Sequence, residues 1–392
     1  MKSAVFRPAA RVRDIPPYLF AEIDRMIGEL KARGADIISF GIGDPDFPTP
    51  PHIVAALQEA AADPATHRYP SYYGLPELRE GISDWFSARF GVSLDPSHQI
   101  LPLWGSKEGV AHLPWAVIDE GDVALCSDPG YPVYDVGTRL AGGTPVAVPC
   151  RIEDGFLPDF DSIDQGVAAR AKLLWLNYPG NPTSATCDLE FFERAVDFCR
   201  RHEILLAHDA AYSEVTYDGY VAPSVLQVPG ASEVAVELHS FSKTYNMTGW
   251  RIGWICGSPA VIEALGTLKT NLDSGVFNAI QRAAIAALRG PRDFLDGQLR
   301  VLQARRDRVV DALTASGLDV TAPRGSLYVW APVPDGETSA GYAKRMLEEA
   351  EVAITPGSGY GRHGEGYVRL SLTLADDRLD EGLARIREAS GA

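Results

Sequence analysis

Lys243 stands directly behind an apolar run, in the segment VELHSFSKTYNMTGWRIGW at 236–254. A primary amine entering a site from the end of a strand can form a Schiff base with a carbonyl. Burial lowers its pKa enough to make it a base near neutrality. Ser240 and Ser242 flank it with hydroxyls, and Arg251 adds a planar fork suited to a phosphate dianion. A lysine snorkelling beside a surface arginine is the plainer alternative, and the grouping of these four residues weighs against it. A second phosphate-directed feature is GSKEG at 105–109, which follows the apolar run QILPLW and opens helix-like sequence. Backbone N–H groups of Ser106 and Lys107 at a helix start make a natural phosphate cradle, although a lone Gly-Ser-Lys is otherwise an ordinary helix cap. Asp209 closes the run EILLAHD, where an aspartate is commonly a helix cap but can also be a buried carboxylate.

The elements that must position these residues follow from hydrophobic periodicity. Short β-type runs occur at 123–127, 144–149, 172–177, 203–209, 234–240 and 253–257, and helix-patterned segments such as LEFFERAVDFCRRH at 189–202 separate them. This alternation predicts a mainly parallel sheet with helices on both faces. Ligands then sit outside the carboxyl ends of the strands, which is where Asp209 and Lys243 fall. Residues 17–33 read as a helix ending at Gly34, and DIISFGIGDPDFPTPP as a short strand entering a Pro- and Gly-rich loop. Residues 292–316 read as a long charged helix bridging two units. Strands at LYVWAP and GYVRLSL with a helix at 339–350 suggest a smaller α+β unit. The expected division is a large domain over 50–290, with a small domain built from 1–49 and 291–392.

Bulk properties exclude several classes. The 392 residues carry 36 basic and 52 acidic side chains, a formal charge of −16, which argues against a phosphate-backbone or polybasic membrane contact. Five scattered cysteines without metal-like spacing suit reduced, buried thiols in a cytoplasmic protein. The opening MKSAVFRPAARVRD lacks the apolar stretch of a signal peptide, and no run reaches a membrane-spanning length.

SFSKTYNMTGWRIG resembles the cofactor-lysine signature of class I/II aminotransferases, pyridoxal-phosphate (PLP) enzymes of fold type I. Further segments are similar to that family in the same order, from about residue 15 to residue 385. The resemblance implies a mainly parallel seven-stranded sheet in the large domain, with a smaller α+β domain beside it. It implies that Lys243 holds the cofactor, that Asp209 pairs with the pyridine nitrogen and keeps it protonated, and that Tyr212 donates to the phenolic oxygen. Asn181, in NYPGNPTSA, reaches the same oxygen and borders the substrate. Ser106 and Lys107 grip the phosphate with Ser240, Ser242 and Arg251, and Tyr131 in DPGYPVY stacks on the pyridine. Arg369 in GYVRLSL binds the substrate α-carboxylate, which the backbone at Gly43 in GIGDPD approaches closely. Tyr69 in YPSYYGLPELRE reaches the phosphate of a partner subunit, which implies a homodimer with shared sites.

Within that class, PPYLFAEIDR, HRYPSYYGLPELR, LPLWGSKEGVAHLP, SDPGYPVYDVGT and TPGSGYGRHGEGYVRLSLT most resemble the bacterial LL-diaminopimelate aminotransferases. The resemblance implies a ping-pong exchange between glutamate and tetrahydrodipicolinate, with Tyr18 and Lys107 at the far end of the substrate. Aspartate, alanine and succinyl-diaminopimelate aminotransferases share the scaffold, and so do PLP carbon–sulfur lyases and decarboxylases. A ligand-sensing regulator on this fold would have no need for Lys243, Asp209 and Arg369 together.

Overall fold

The structure is a computed structural model that describes residues 7–15 and 19–391. Among the described residues the strands are, in chain order, β1 Ile38–Ser39, β2 Ile100–Leu103, β3 Val123–Asp128, β4 Thr144–Pro149, β5 Ala171–Leu176, β6 Leu205–Asp209, β7 Ala235–Ser240, β8 Gly253–Gly257, β9 Tyr328–Pro332, β10 Val352–Ala353, β11 Thr355–Pro356 and β12 Tyr367–Ser371. Seven of them form one sheet in the order β2-β8-β7-β6-β5-β3-β4. Every pairing from β7 to β4 is parallel, and β8 alone runs against both its neighbours. The expected mainly parallel seven-stranded sheet is therefore present.

The central strands are buried along their whole length, which is why they read as continuous apolar runs rather than alternating ones. Helices cover both faces. Leu189–His202 shows how sequence sets such an element. The Asp188 side chain accepts from the Phe191 amide at its start, Arg200, Arg201 and His202 occupy its last turn, and Glu203 ends it in the left-handed region. Its Phe191, Phe192, Ala195, Val196 and Cys199 pack into the core on one face of the sheet.

Segments distant in the chain meet. β1 pairs in parallel with β10, and β9, β12 and β11 form a separate antiparallel sheet. A further core gathers Phe40, Leu302, Val309, Val329, Leu370 and Leu383 with Tyr212, Val215 and Tyr217 from the segment after β6.

The helix Asp293–Ala315 matches the expected long charged element, but two of its charges are not on a solvated face. Arg305 and Arg306 are buried, Arg305 in a two-pronged contact to Asp46 at 2.8 and 2.9 Å and Arg306 against Asp218. Burial of a guanidinium needs such a paired carboxylate. The Asp46 contact also fixes the GIGDPD loop in the site wall. From the same helix, Gln298 accepts from Asn246 Nδ2 at 2.9 Å and donates to the Lys243 carbonyl at 3.4 Å.

Candidate active site

The carboxyl ends of β5, β6 and β7 open onto a cavity of about 430 Å³. Gly43, Ser106, Lys107, Tyr131, Asn181, Asp209, Tyr212, Ser240, Ser242, Lys243, Arg251 and Arg369 all line it. Twelve positions spread over more than three hundred residues thus converge on one space.

β7 delivers Lys243 through a single helical turn, Phe241–Thr244, that Ser240 starts by accepting from the Ser242 amide at 3.1 Å. Lys243 Nζ donates to the Gly43 carbonyl at 2.7 Å. Burial lowers the Lys243 pKa below its ordinary value; Tyr328 and Asp44 oppose that shift, and the charges of Arg369 and Arg251 add to it. The amine is thus biased toward its neutral, nucleophilic form.

Asp209 ends β6 and is buried. Its Oδ2 accepts from the Tyr134 hydroxyl at 3.0 Å, while Oδ1 has no hydrogen-bond partner among the described residues. Burial raises the Asp209 pKa, against the Tyr134 hydrogen bond and the pull of His208. A buried carboxylate with one open oxygen is a receptor for a cationic N–H. Behind it, Asn177 donates to the Asp209 carbonyl at 2.6 Å and accepts from the Asn181 amide at 2.7 Å, so it ties the β5 and β6 loops together. Deeper still, Glu237 of β7 accepts from Ser224 Oγ and the Val225 amide and lies against His208 and His239.

The opposite wall of the cavity is cationic. Helix Ser106–Val117 starts without a side-chain cap, because Gly105 occupies that position at φ 73°. A side chain at Gly105 would be strained, and its Cβ would collide with the Arg251 guanidinium. Arg251 is itself in the left-handed region and donates to the Thr248 carbonyl at 2.8 Å. Uncapped helix N–H groups, an arginine fork and two serines make an anion site.

Arg369 enters from β12. It donates to Asn181 Oδ1 at 2.8 Å and to the Gly41 carbonyl at 2.5 Å, and its guanidinium lies 4.0 Å from the centre of the Tyr328 ring. Glycine at 43 is required by that ring, since a Cβ there would overlap the Tyr328 hydroxyl.

Residues 35–386 match the class I and II aminotransferase family. The chain belongs to the class I and II aminotransferases. It is similar to the LL-diaminopimelate aminotransferase of Desulforudis audaxviator, 54% identical over 386 residues that cover 98% of each chain. Among solved structures, it is similar to substrate-bound BacF from Bacillus subtilis, with a TM-score of 0.93 and 36% identity over 98% of each chain. A probable N-succinyldiaminopimelate aminotransferase from Thermus thermophilus gives a TM-score of 0.90 at 37% identity, over 95% of this chain and 100% of that one.

Enzymes of this family use PLP, and the residues of this aminotransferase fit it. The open Asp209 Oδ1 suits a protonated ring nitrogen, the glycine-started helix beside Arg251 suits a phosphate, and the buried Lys243 amine suits a carbonyl. Three residues in contact with this machinery were not apparent from sequence: Tyr134, Tyr328 and Asn177. Tyr134 carries one weak signal, a helical spacing of three from Tyr131. Tyr328 reads only as an apolar strand residue. Tyr69 lies apart from the cavity and is 91% exposed. Tyr18 lies outside the described residues.

Proposed function

We propose that this aminotransferase exchanges an amino group between LL-diaminopimelate and 2-oxoglutarate. The convergence of Arg369, Lys243 and Asp209 on one cavity carries the transamination chemistry. The choice of diaminopimelate is supported by full-length similarity to enzymes of that name. PLP, when bound, supplies a carbonyl carbon for the amine and an electron sink for charge that develops at the substrate Cα.

In this reading Arg369 binds the substrate α-carboxylate through its fork and sets the orientation of the Cα–H bond. Lys243 Nζ takes the Cα proton, a role suited to an amine whose pKa burial has lowered. Asp209 Oδ1 holds the proton on the ring nitrogen, and Tyr134 fixes the carboxylate by occupying Oδ2. With PLP bound, Tyr212 would donate to the phenolic oxygen, Asn181 would border it and Tyr131 would cover the ring. The Ser106 and Lys107 amides, Ser240, Ser242 and Arg251 would hold its phosphate. Lys107 and Tyr18 are the candidates for the distal amino acid group.

A homodimer belongs to the same proposal. Tyr69, Tyr72, Tyr73, Trp104 and Leu272 are all exposed. Trp104 donates to the Ser274 carbonyl, and Tyr73 packs on Gly266 of the helix that ends at Leu272. Exposed aromatic side chains of this kind support an interaction surface, and Tyr69 would reach the partner subunit's phosphate. We also propose a two-domain division, 50–290 against 1–49 with 291–392, and a cytoplasmic location. Five buried, unpaired cysteines support the latter, and no described helix is long and apolar enough to cross a membrane.

The deciding experiment is a donor and acceptor screen: LL-diaminopimelate, N-succinyl-LL-diaminopimelate, aspartate and alanine, each with 2-oxoglutarate. The highest kcat/KM is expected for LL-diaminopimelate. Turnover that needs no 2-oxo acid acceptor would indicate a lyase or decarboxylase instead.

A further inference from the structure

Lys269 is fully buried in the helix Pro259–Leu272, at 1% exposure, and plays no part in the chemistry described above. Its Nζ donates to Glu108 Oε1 at 2.8 Å and to both Asp273 oxygens at 2.8 and 3.1 Å. Glu108 occupies the first turn of the helix whose start forms the phosphate cradle. Its other oxygen accepts from the Trp104 amide at 2.5 Å, and the Trp104 indole donates to the Ser274 carbonyl at 2.9 Å. Lys269, Glu108 and Asp273 therefore clamp the turn 104–106 from behind.

Glu108, His112 and Asp273 have metal-like proximity, within 4.8 Å of one another. The Lys269 ammonium already stands against both carboxylates, so the cluster carries its own cation. Burial raises the Glu108 pKa, but His112, Lys269 and the Trp104 amide outweigh it and hold the group at about 2. Glu108 is thus a fixed anion beside a helix start that has to receive a phosphate dianion. Two anions at one helix start repel each other in a poorly screened setting.

We infer that Lys269 is a positioning residue for cofactor phosphate binding: it neutralises Glu108 and holds the turn 104–106 in the geometry that presents the cradle amides. The inference rests on the assignment of Gly105–Lys107 and Arg251 as the phosphate site.

The test compares affinity of the cofactor-free protein for PLP and for pyridoxal, which lacks the phosphate, by absorbance and fluorescence titration. Lys269→Met should weaken PLP roughly tenfold or more and change pyridoxal affinity less than about twofold. Glu108→Gln/Lys269→Met removes the Glu108 and Lys269 charges, leaves the partly exposed Asp273 in place and keeps an acceptor for the Trp104 amide. Its PLP-to-pyridoxal preference should return to within about threefold of wild type. If Lys269→Met does not fold, the double variant carries the test alone, and collapse of its preference overturns the inference. Equal weakening of both ligands by Lys269→Met, or of neither, also overturns it. Arg251→Ala serves as the control. Collapse of its preference beside an unaffected Lys269→Met rejects Lys269 only, whereas no change in either variant rejects the phosphate site as well.

Discussion

The hydroxyl oxygens of Tyr212 and Tyr328 lie 3.0 Å apart, joining the segment after β6 to the first residue of β9. The Tyr328 ring at the same time underlies the Arg369 guanidinium at 4.0 Å. One side chain therefore contacts both the proposed phenolic-oxygen donor and the proposed carboxylate fork. Tyr328→Phe keeps the ring and removes the hydroxyl, so kcat/KM should fall about tenfold with little change in substrate KM. Tyr328→Ala also removes the ring under Arg369 and should raise KM for every amino acid. Steady-state kinetics on two donors separate the two effects. Identical kinetics for Tyr328→Phe and wild type would show that the hydroxyl pair is only structural.

Lys243→Ala should abolish the covalent link to PLP and lower transamination by on the order of 10³-fold or more. The variant should still bind PLP, because the phosphate and ring contacts remain. Borohydride reduction followed by peptide mapping should label Lys243 in the wild type and nothing in the variant. A label on another lysine would reassign the cofactor residue.

Asp209→Ala removes the partner of the ring nitrogen and leaves the Tyr134 hydroxyl without its acceptor. Turnover should fall by on the order of 10²-fold or more, with Asp209→Glu milder because charge is retained. The visible spectrum of the bound cofactor should change with the alanine variant. Wild-type activity in Asp209→Ala would remove this residue from the mechanism.

Lys107 lines the cavity beside the phosphate cradle. If it also meets the distal end of diaminopimelate, Lys107→Ala should lower kcat/KM for LL-diaminopimelate by about 10- to 100-fold. Alanine, which has no distal group, should lose much less. Equal losses on both substrates would confine Lys107 to the phosphate.

Glu237 gives a pH-dependent stability effect. Burial alone would raise its pKa, but the hydrogen bonds and charges of His208 and His239 hold it far below its ordinary 4.5. A depressed carboxylate pKa stabilises the fold above the unfolded value, and that contribution is lost as pH falls. Glu237→Gln should therefore destabilise the protein by about 2–4 kcal/mol at neutral pH, with the gap to wild type narrowing below pH 4.5. Denaturant titrations at pH 7 and pH 4 measure this, and a gap that widens toward low pH contradicts the assignment.

Much of this protein was legible in the chain because its cues are local. The β-type runs at 123–127, 203–209 and 253–257 each became a strand of the large sheet, since strands buried on both faces must be continuously apolar. Asp188 and the basic end of LEFFERAVDFCRRH set a helix over 189–202 for equally local reasons. Lys243, Asp209 and Arg251 stood out because polar groups at strand ends are costly to place without a task.

Tertiary structure alone decided what depends on distance across the chain. That Asp46 receives Arg305, that Tyr328 meets Tyr212, and that Lys269 lies against Glu108 are contacts over 259, 116 and 161 residues. An apolar strand gives no sign of which of its residues will face a site, so Tyr328 looked like core. A lysine in an amphipathic helix reads as solvated until the fold closes two carboxylates around it. Sequence determined the chemical groups and the elements that carry them. Which oxygen of Asp209 stays open, and which charges are neutralised behind the cradle, followed only from packing, because burial and pairing energies depend on neighbours that no local pattern encodes.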